Sequence, residues 1–345
     1  MTNVAIIGAT GYGGVELVRL LQTHPRVRLS FLSSETYAGR RVCDVYPHLA
    51  ASETVLQKLD PAAVAECDFA LLAVPAGTSM GVVPQLLEAG TRVVDVSPDF
   101  RLRDASLYPR WYNLDHKCPE LLEQAVFGVP ELHREPIKSA RLVAAPGCYT
   151  TGALLALAPL LADKLIDPSD VIVDGKSGLS GVGRTALQLP YHYPEANEDA
   201  AAYAVTGHRH APEMLQELRP LTRSKLGLTF TPHLVPMTRG ILLTIYVQPL
   251  AHVGAEDLRA ALQRRYADEP FVRVLPDDQW PHTKWTAGTN LCFLAAGADQ
   301  ASGRAVVVSA VDNLGKGMAG QMVQCLNLML GVDETSALRA QAVHP

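Results

Sequence analysis

The sequence predicts an α/β protein, a doubly wound parallel sheet followed by an α+β domain with a mixed or antiparallel sheet. Three observations lead there. Up to about residue 145, short runs that are apolar on both faces alternate with amphipathic stretches, as parallel strands covered by helices do. A glycine-rich turn joins the first of these runs to the first amphipathic stretch. After Cys148, several strand-like runs follow one another with no helix between them. With 345 residues, 48% apolar and 19% charged, the chain is long enough for about two domains with cores of their own.

In order, the first part reads as a strand at 4–7, a helix over 13–22, strands at 27–32 and 69–74, a helix over 79–88, and strands at 92–96 and 142–144. This is the grammar of a Rossmann-type domain spanning 1–146. The second domain, 147–315, opens with a helix over 149–165. Strands are expected at 171–174, 228–235, 241–248, 271–274, 291–297 and 305–311, with helices near 210–218 and 256–266. A final helix, 316–330, carries Met318, Met322, Val323, Leu326 and Leu330 on one stripe and could pack back on the first domain or stay with the second.

Composition narrows the function. Thirty basic against 35 acidic residues give a net charge of −5 with no Lys/Arg block, so a nucleic-acid partner is not expected. The start lacks a basic segment followed by a long apolar one, and the best apolar run, 153–162, is far shorter than the roughly 18 to 20 residues of a membrane span. A soluble, cytoplasmic protein with no membrane partner is the expectation. Six cysteines without a CxxC fit neither a disulfide framework nor a zinc site, so no metal is expected. Isolated histidines such as His24, His252 and His344 read as surface residues.

The first turn carries Gly8, Gly11, Gly13 and Gly14 in a GxxGxxG spacing, with Thr10 and Tyr12 between them. Glycine lets the backbone turn tightly and approach a pyrophosphate, whose charge then rests on the N–H groups of the helix N-terminus. After the second strand stand Ser33, Ser34 and Glu35, then Arg40 and Arg41. Hydroxyls followed by guanidinium groups suit a 2′-phosphate and favour NADP, while Glu35 keeps NAD open.

Ala145-Pro-Gly-Cys-Tyr-Thr-Thr151 links the last strand of the first domain to the first helix of the second. A thiol at a helix N-terminus is biased toward thiolate, which makes Cys148 the candidate nucleophile. Cys43, Cys67, Cys292 and Cys325 sit in or beside apolar runs and read as inert. A thiolate beside a nicotinamide cofactor points to an enzyme that interconverts an aldehyde and an activated acid through a thioester.

Six motifs, taken in order, resemble the N-acetyl-gamma-glutamyl-phosphate reductase family of arginine biosynthesis, within the aspartate-semialdehyde dehydrogenase superfamily. They are Gly8-Ala-Thr-Gly-Tyr-Gly-Gly14, Asp95-Val-Ser-Pro-Asp-Phe-Arg-Leu102, Pro146-Gly-Cys-Tyr-Thr150, Ser177-Gly-Leu-Ser-Gly-Val-Gly-Arg184, His208-Arg-His-Ala-Pro-Glu213 and Asp312-Asn-Leu-Gly-Lys-Gly317. The resemblance implies reduction of an acyl phosphate by NADPH with Cys148 as nucleophile and His210, or alternatively His208, as base. It also implies cofactor contacts from Pro75, Ser177, Gly178 and Asn313, and a homo-oligomer. A substrate with a carboxylate and a phosphate calls for forked cations, for which Arg101 and Arg184 are the candidates, with His208 as a further substrate contact. Gly315 stands where a bulkier residue is expected. A carrier-linked aminoadipyl phosphate, as in lysine biosynthesis, and a non-catalytic NADP-binding sensor stay open as alternatives.

Overall fold

A computed structural model describes residues 1–50 and 52–343. His344 therefore lies outside the described residues. The chain divides into two compact units. The first comprises Met1–Pro146, Gly183–Thr185 and Met318–Ala340, and the second Gly147–Val182, Ala186–Gly317 and Gln341–Pro345.

The first unit is built on a six-stranded sheet of β1 (Thr2–Ile7), β2 (Val27–Leu32), β3 (Phe69–Leu72), β4 (Arg92–Asp95), β5 (Ala125–Phe127) and β6 (Leu142–Ala144). Every pairing is parallel, in the order β2-β1-β3-β4-β6-β5. The order in which strands are added reverses between β1 and β3, and in such sheets ligands bind beyond the strand ends at that switch. Helix α1 (Tyr12–Leu21) buries Leu17, Val18, Leu20 and Leu21. The expected helix over 79–88 is split into a 3-10 turn, Ser79–Gly81, and α2 (Val83–Glu88). Pro84 explains the split, since proline is tolerated in a first helical turn and disruptive within a helix. Helix α3 (Pro130–Ser139) has few apolar residues and β5 is only three residues long, so neither was foreseen.

In the second unit α4 (Cys148–Ala162) buries every residue from Tyr149 to Leu161. Its sheet contains β7 (Ile166–Ser177), β8 (Ala201–Ala202), β9 (Leu228–Leu234), β10 (Ile241–Pro249), β11 (Val272–Val274), β12 (Cys292–Asp299) and β13 (Arg304–Val311), in the order β11-β12-β13-β10-β7-β9-β8. The pairings are mixed, β7 with β9 and β11 with β12 parallel, the others antiparallel. Helices α5 (Ala211–Leu218) and α6 (Ala255–Tyr266) complete the layer that contains α4. Along β10, Ile241, Leu243, Ile245 and Val247 are buried, while Leu242, Thr244 and Tyr246 are half-buried on the other face.

The last helix starts later than the sequence suggests. A π-helical turn, Gly315–Ala319, precedes α7 (Gly320–Leu330). A side chain at position 315 would collide with the Thr289 carbonyl, so glycine is what lets the chain take this route. From Met318 to Ala340 the chain belongs to the first unit, where α7 packs on α1, α3 and β4. Polar side chains anchor it: Gln321 donates to the Gly128 carbonyl at 2.9 Å and Gln324 to Glu131 at 3.2 Å. His24, expected at the surface, is buried against Asn327 at 2.8 Å, and burial lowers its pKa. His252 is exposed, as a surface residue should be. No helix among the described residues is long and apolar enough to cross a membrane.

Candidate active site

In the first unit, the loop after β1 turns at Gly8, whose φ of +84° lies in the left-handed region and whose missing Cβ would overlap the Ala73 carbonyl. Gly13 lies against the end of the Met318 side chain, which would have to shift for a larger residue. No side chain caps α1, whose N-cap is Gly11, and no acid occupies its first turn. That end of α1 has the composition of an anion site.

Several of the residues expected to touch cofactor brace this loop. Ser33 Oγ accepts the Gly8 N–H at 2.9 Å, and Ser34 Oγ lies 2.8 Å from Thr10 Oγ1 and accepts the Tyr37 N–H at 3.2 Å. Tyr46 donates its hydroxyl to the Thr10 carbonyl at 2.8 Å. Tyr12 and Pro75 are exposed. Arg40 donates to the Asp44 carbonyl at 2.9 Å, while Arg41 forks onto the Asp44 carboxylate at 2.8 and 3.0 Å. Glu35 accepts the Leu59 N–H at 3.1 Å.

Arg101 and Arg184 both belong to the first unit. Arg101 is buried and donates Nη2 to the Val96 carbonyl of its own loop at 2.5 Å. Arg184 lies over the Tyr37 ring, 5.3 Å from its centroid, in one of the short segments that leave the second unit's run of sequence. The expected span 147–315 therefore holds one stretch that packs elsewhere, and the cause is this contact with Tyr37.

In the second unit Cys148 is the first residue of α4 and is half-buried. The Gly317 backbone presses on it, since a Cβ there would come within 2.8 Å of Cys148 Cβ. Gly147, the N-cap, has room for no side chain because the His210 imidazole occupies that space. Glu213 is fully buried and accepts both the Gly147 N–H at 2.8 Å and the Thr150 hydroxyl at 3.0 Å. His210 immediately precedes α5 and Glu213 follows three residues later, so both reach the start of α4 from one face.

His208 is held differently. Its Nδ1 accepts the His210 backbone N–H at 3.1 Å, and its ring makes edge contacts with Tyr149, Tyr203, Phe230 and His210. Burial, reinforced by Arg209, lowers its pKa to about 4, so it is neutral near pH 7. The Tyr203 hydroxyl donates to that of Tyr149 at 3.3 Å, and burial pushes the Tyr203 phenol up to about 12.

Asn313 is engaged inside the second unit, accepting the Gly240 N–H at 2.7 Å and donating to Ser180 at 2.9 Å. Ser177 donates to the Gly178 carbonyl at 3.0 Å, and Gly178 packs on the backbone of Met237 and Thr238. Asp312, fully buried, gathers Arg239 at 2.9 Å with the N–H groups of Gly288, Leu314 and Gly315. Sequence reasoning missed Glu213, Tyr203 and Arg239. Glu213 was legible in its spacing from His210, whereas Tyr203 and Arg239 lie in stretches with no local pattern. Among the described residues, no group of three or more His, Cys, Asp or Glu could hold a metal ion.

Proteins named N-acetyl-gamma-glutamyl-phosphate reductase are similar over the whole chain. That of Citrifermentans bemidjiense is 49% identical over 100% of both chains, that of Magnetococcus marinus 49% over 99% of both, and that of Moorella thermoacetica 46% over 100% of both. The chain belongs to this family. Consistently, the profile described as semialdehyde dehydrogenase, NAD binding domain, matches residues 3–140, and that described as semialdehyde dehydrogenase, dimerisation domain, matches 148–313. Among solved structures, aspartate semialdehyde dehydrogenase II of Vibrio cholerae superposes with a TM-score of 0.74 at 19% identity, covering 96% of this chain and 98% of that one. A probable aspartate-semialdehyde dehydrogenase of Pseudomonas aeruginosa gives 0.72 at 22% identity, over 95% and 98%. The fold of these dehydrogenases is therefore the fold of this family member, an oxidoreductase with an NAD(P)-binding first domain.

Proposed function

We propose that the protein reduces N-acetyl-L-glutamyl 5-phosphate to N-acetyl-L-glutamate 5-semialdehyde, releasing phosphate, with NADPH as reductant, in arginine biosynthesis. The observation that carries this reading is Cys148 at the head of α4, with His210 against its N-cap, in a chain whose full-length relatives bear that reductase's name.

The first unit fits the dinucleotide: Gly8 leaves no room for a side chain, and the uncapped start of α1 suits a pyrophosphate. Glu35 is occupied by the Leu59 N–H, which favours NADP over NAD, and Arg40 is the 2′-phosphate ligand. The bound nicotinamide supplies the hydride.

The chain's own residues carry the acyl transfer. His210 takes the thiol proton, and Cys148 Sγ bonds the carbonyl carbon as the bond to the phosphate oxygen breaks, leaving a thioester. When the reduced carbon later separates from sulfur as the aldehyde, His210 returns the proton to Sγ. His208, neutral and with Nδ1 engaged, positions His210 rather than acting as base. Glu213 holds the start of α4 in register with His210.

The protein is also a homo-oligomer in this reading, with the sheet face opposite α4 as the interface. Ile172, Tyr246 and Val306 are register partners there across β7, β10 and β13, and all are half-buried.

The test is the reverse reaction, followed by NADP reduction with N-acetylglutamate semialdehyde and phosphate, beside the unacetylated and one-carbon-longer aldehydes. Phosphate-dependent turnover fastest with the acetylated five-carbon aldehyde is expected. Preference for the longer aldehyde would overturn the pathway assignment, and NADP binding without turnover would overturn the activity.

A further inference from the structure

Two guanidinium groups in the first unit lie over one ring. Arg184 is 5.3 Å and Arg40 5.9 Å from the centroid of Tyr37. Arg184 Nη1 donates to the Tyr37 hydroxyl at 3.3 Å, but its Nε is buried without a hydrogen-bond partner among the described residues. Among the described residues neither Arg40 nor Arg184 forms a direct ion pair, whereas the adjacent Arg41 is paired with Asp44, which reaches Arg40 only through space. The groups that act on Arg184 are phenols, those of Tyr37, Tyr46 and Tyr12, and no carboxylate is among them. Two cations gathered on one aromatic platform, neither in a direct ion pair, repel each other unless an anion joins them.

The position of the platform says which anion. The Tyr37 N–H bonds Ser34 Oγ, immediately beyond β2, and the Tyr46 hydroxyl bonds the Thr10 carbonyl inside the glycine loop. The end of the second strand is where a dinucleotide fold reads the adenosine ribose. We propose that Arg184 is a cofactor-specificity residue rather than a substrate ligand, and that it closes with Arg40 on the 2′-phosphate of NADP above Tyr37. This rests on the NADPH reading given above and adds a ligand from a segment some 150 residues further along the chain.

Calorimetric titration with 2′,5′-ADP and 5′-ADP tests it, on wild type, Arg184→Ala and Arg184→Gln, alongside the KM for NADPH, NADH and the acyl phosphate. Loss of one forked cation should weaken 2′,5′-ADP about tenfold in Arg184→Ala and 5′-ADP less than about twofold. The KM for NADPH should rise in step while that for the acyl phosphate stays constant. Arg184→Gln, which keeps a donor for the Tyr37 hydroxyl, should show the same loss with an unchanged melting temperature. Equal weakening of both nucleotides, or a raised KM for the acyl phosphate alone, overturns the assignment. If wild type itself does not prefer 2′,5′-ADP, the NADPH reading falls and takes the proposal with it. If wild type prefers it and Arg184→Ala keeps that preference, only the proposal falls.

Discussion

Two strand-to-helix turns in this chain share a backbone and differ in what fills them. The turn into α1 and the turn into α4 both have a glycine N-cap in extended conformation, Gly11 at φ −72° and Gly147 at φ −66°, and neither has a side-chain cap or an acid in the first helical turn. Around α1 the protein braces the loop from behind, through Ser33 and Tyr46, and leaves the helix end to a ligand. Around α4 it fills the end itself, with the Cys148 thiol at the first position and the Glu213 carboxylate on the Gly147 N–H. The electrostatic device is the same in both places, the positive end of a helix. In the proposed function, one copy binds a charge that arrives from outside, and the other holds a charge that does chemistry.

The largest effect expected from breaking this contrast is at Cys148. Cys148→Ser should lower kcat by about three orders of magnitude or more, since a hydroxyl is a far weaker nucleophile. NADPH affinity, read by fluorescence titration, should be nearly unchanged because the α1 turn is intact. Next comes His210→Asn, for which a loss of about 10²- to 10⁴-fold is the usual cost of a general base. His208→Asn should cost under about tenfold and leave the acidic limb of the pH–rate profile in place, because His208 is already neutral there. An acidic limb that vanished in His208→Asn and survived in His210→Asn would exchange their assignments. At the α1 turn, Gly8→Ala sets a side chain on the Ala73 carbonyl at positive φ and should destabilise the fold by about 1–3 kcal/mol. NADPH binding should weaken with it, whereas iodoacetamide should still label Cys148 at the wild-type rate.

Effects on stability alone, with no change in chemistry, separate the units by pH. His208, in the second unit, has its pKa depressed from 6.5 to about 4 by burial. The stability it contributes is present above 6.5 and is lost as pH falls through 4, by about 3 kcal/mol in all. Asp95, in the first unit, is buried and raised from 3.8 to about 6. Its sign is opposite, with stability present below 3.8 and lost as pH rises through 6, again about 3 kcal/mol. Hydrogen exchange at pH 7 and pH 5 should therefore show α5 less protected, and β4 more protected, at the lower pH. Asp95→Asn should remove the change in β4 and His208→Gln the change in α5.

Much of this was readable without coordinates, for reasons that are local. The all-parallel first sheet announced itself through strands such as Phe69–Leu72, apolar on both faces, and the head of α4 through Pro146, Gly147 and Cys148 in succession. What escaped depends on partners distant in sequence. Nothing near Arg184 reports that its guanidinium lies over Tyr37, and nothing near His24 reports Asn327. The hydroxyls of Ser33 and Ser34 suggested a phosphate by type alone, yet each is already engaged with the glycine loop or its neighbours. Residues 125–127 form a run of only three, too short to demand a strand by its own pattern, and β5 is held by its pairing with β6.

Helix α7 bears on how the protein is made. It is the last helix in the chain, yet Asn327 satisfies His24, Gln321 takes the Gly128 carbonyl, and Arg92 donates to the Met329 carbonyl at 2.7 Å. When residue 146 leaves the ribosome, the first sheet is complete in sequence but these buried polar groups and the apolar floor beneath α7 have no cover. The intervening stretch up to Met318 takes roughly ten to thirty seconds to synthesise at 5–20 residues per second. For that interval the nascent first unit presents an open groove, a natural site for a chaperone's grip, and a fragment ending at residue 146 would carry the same groove permanently.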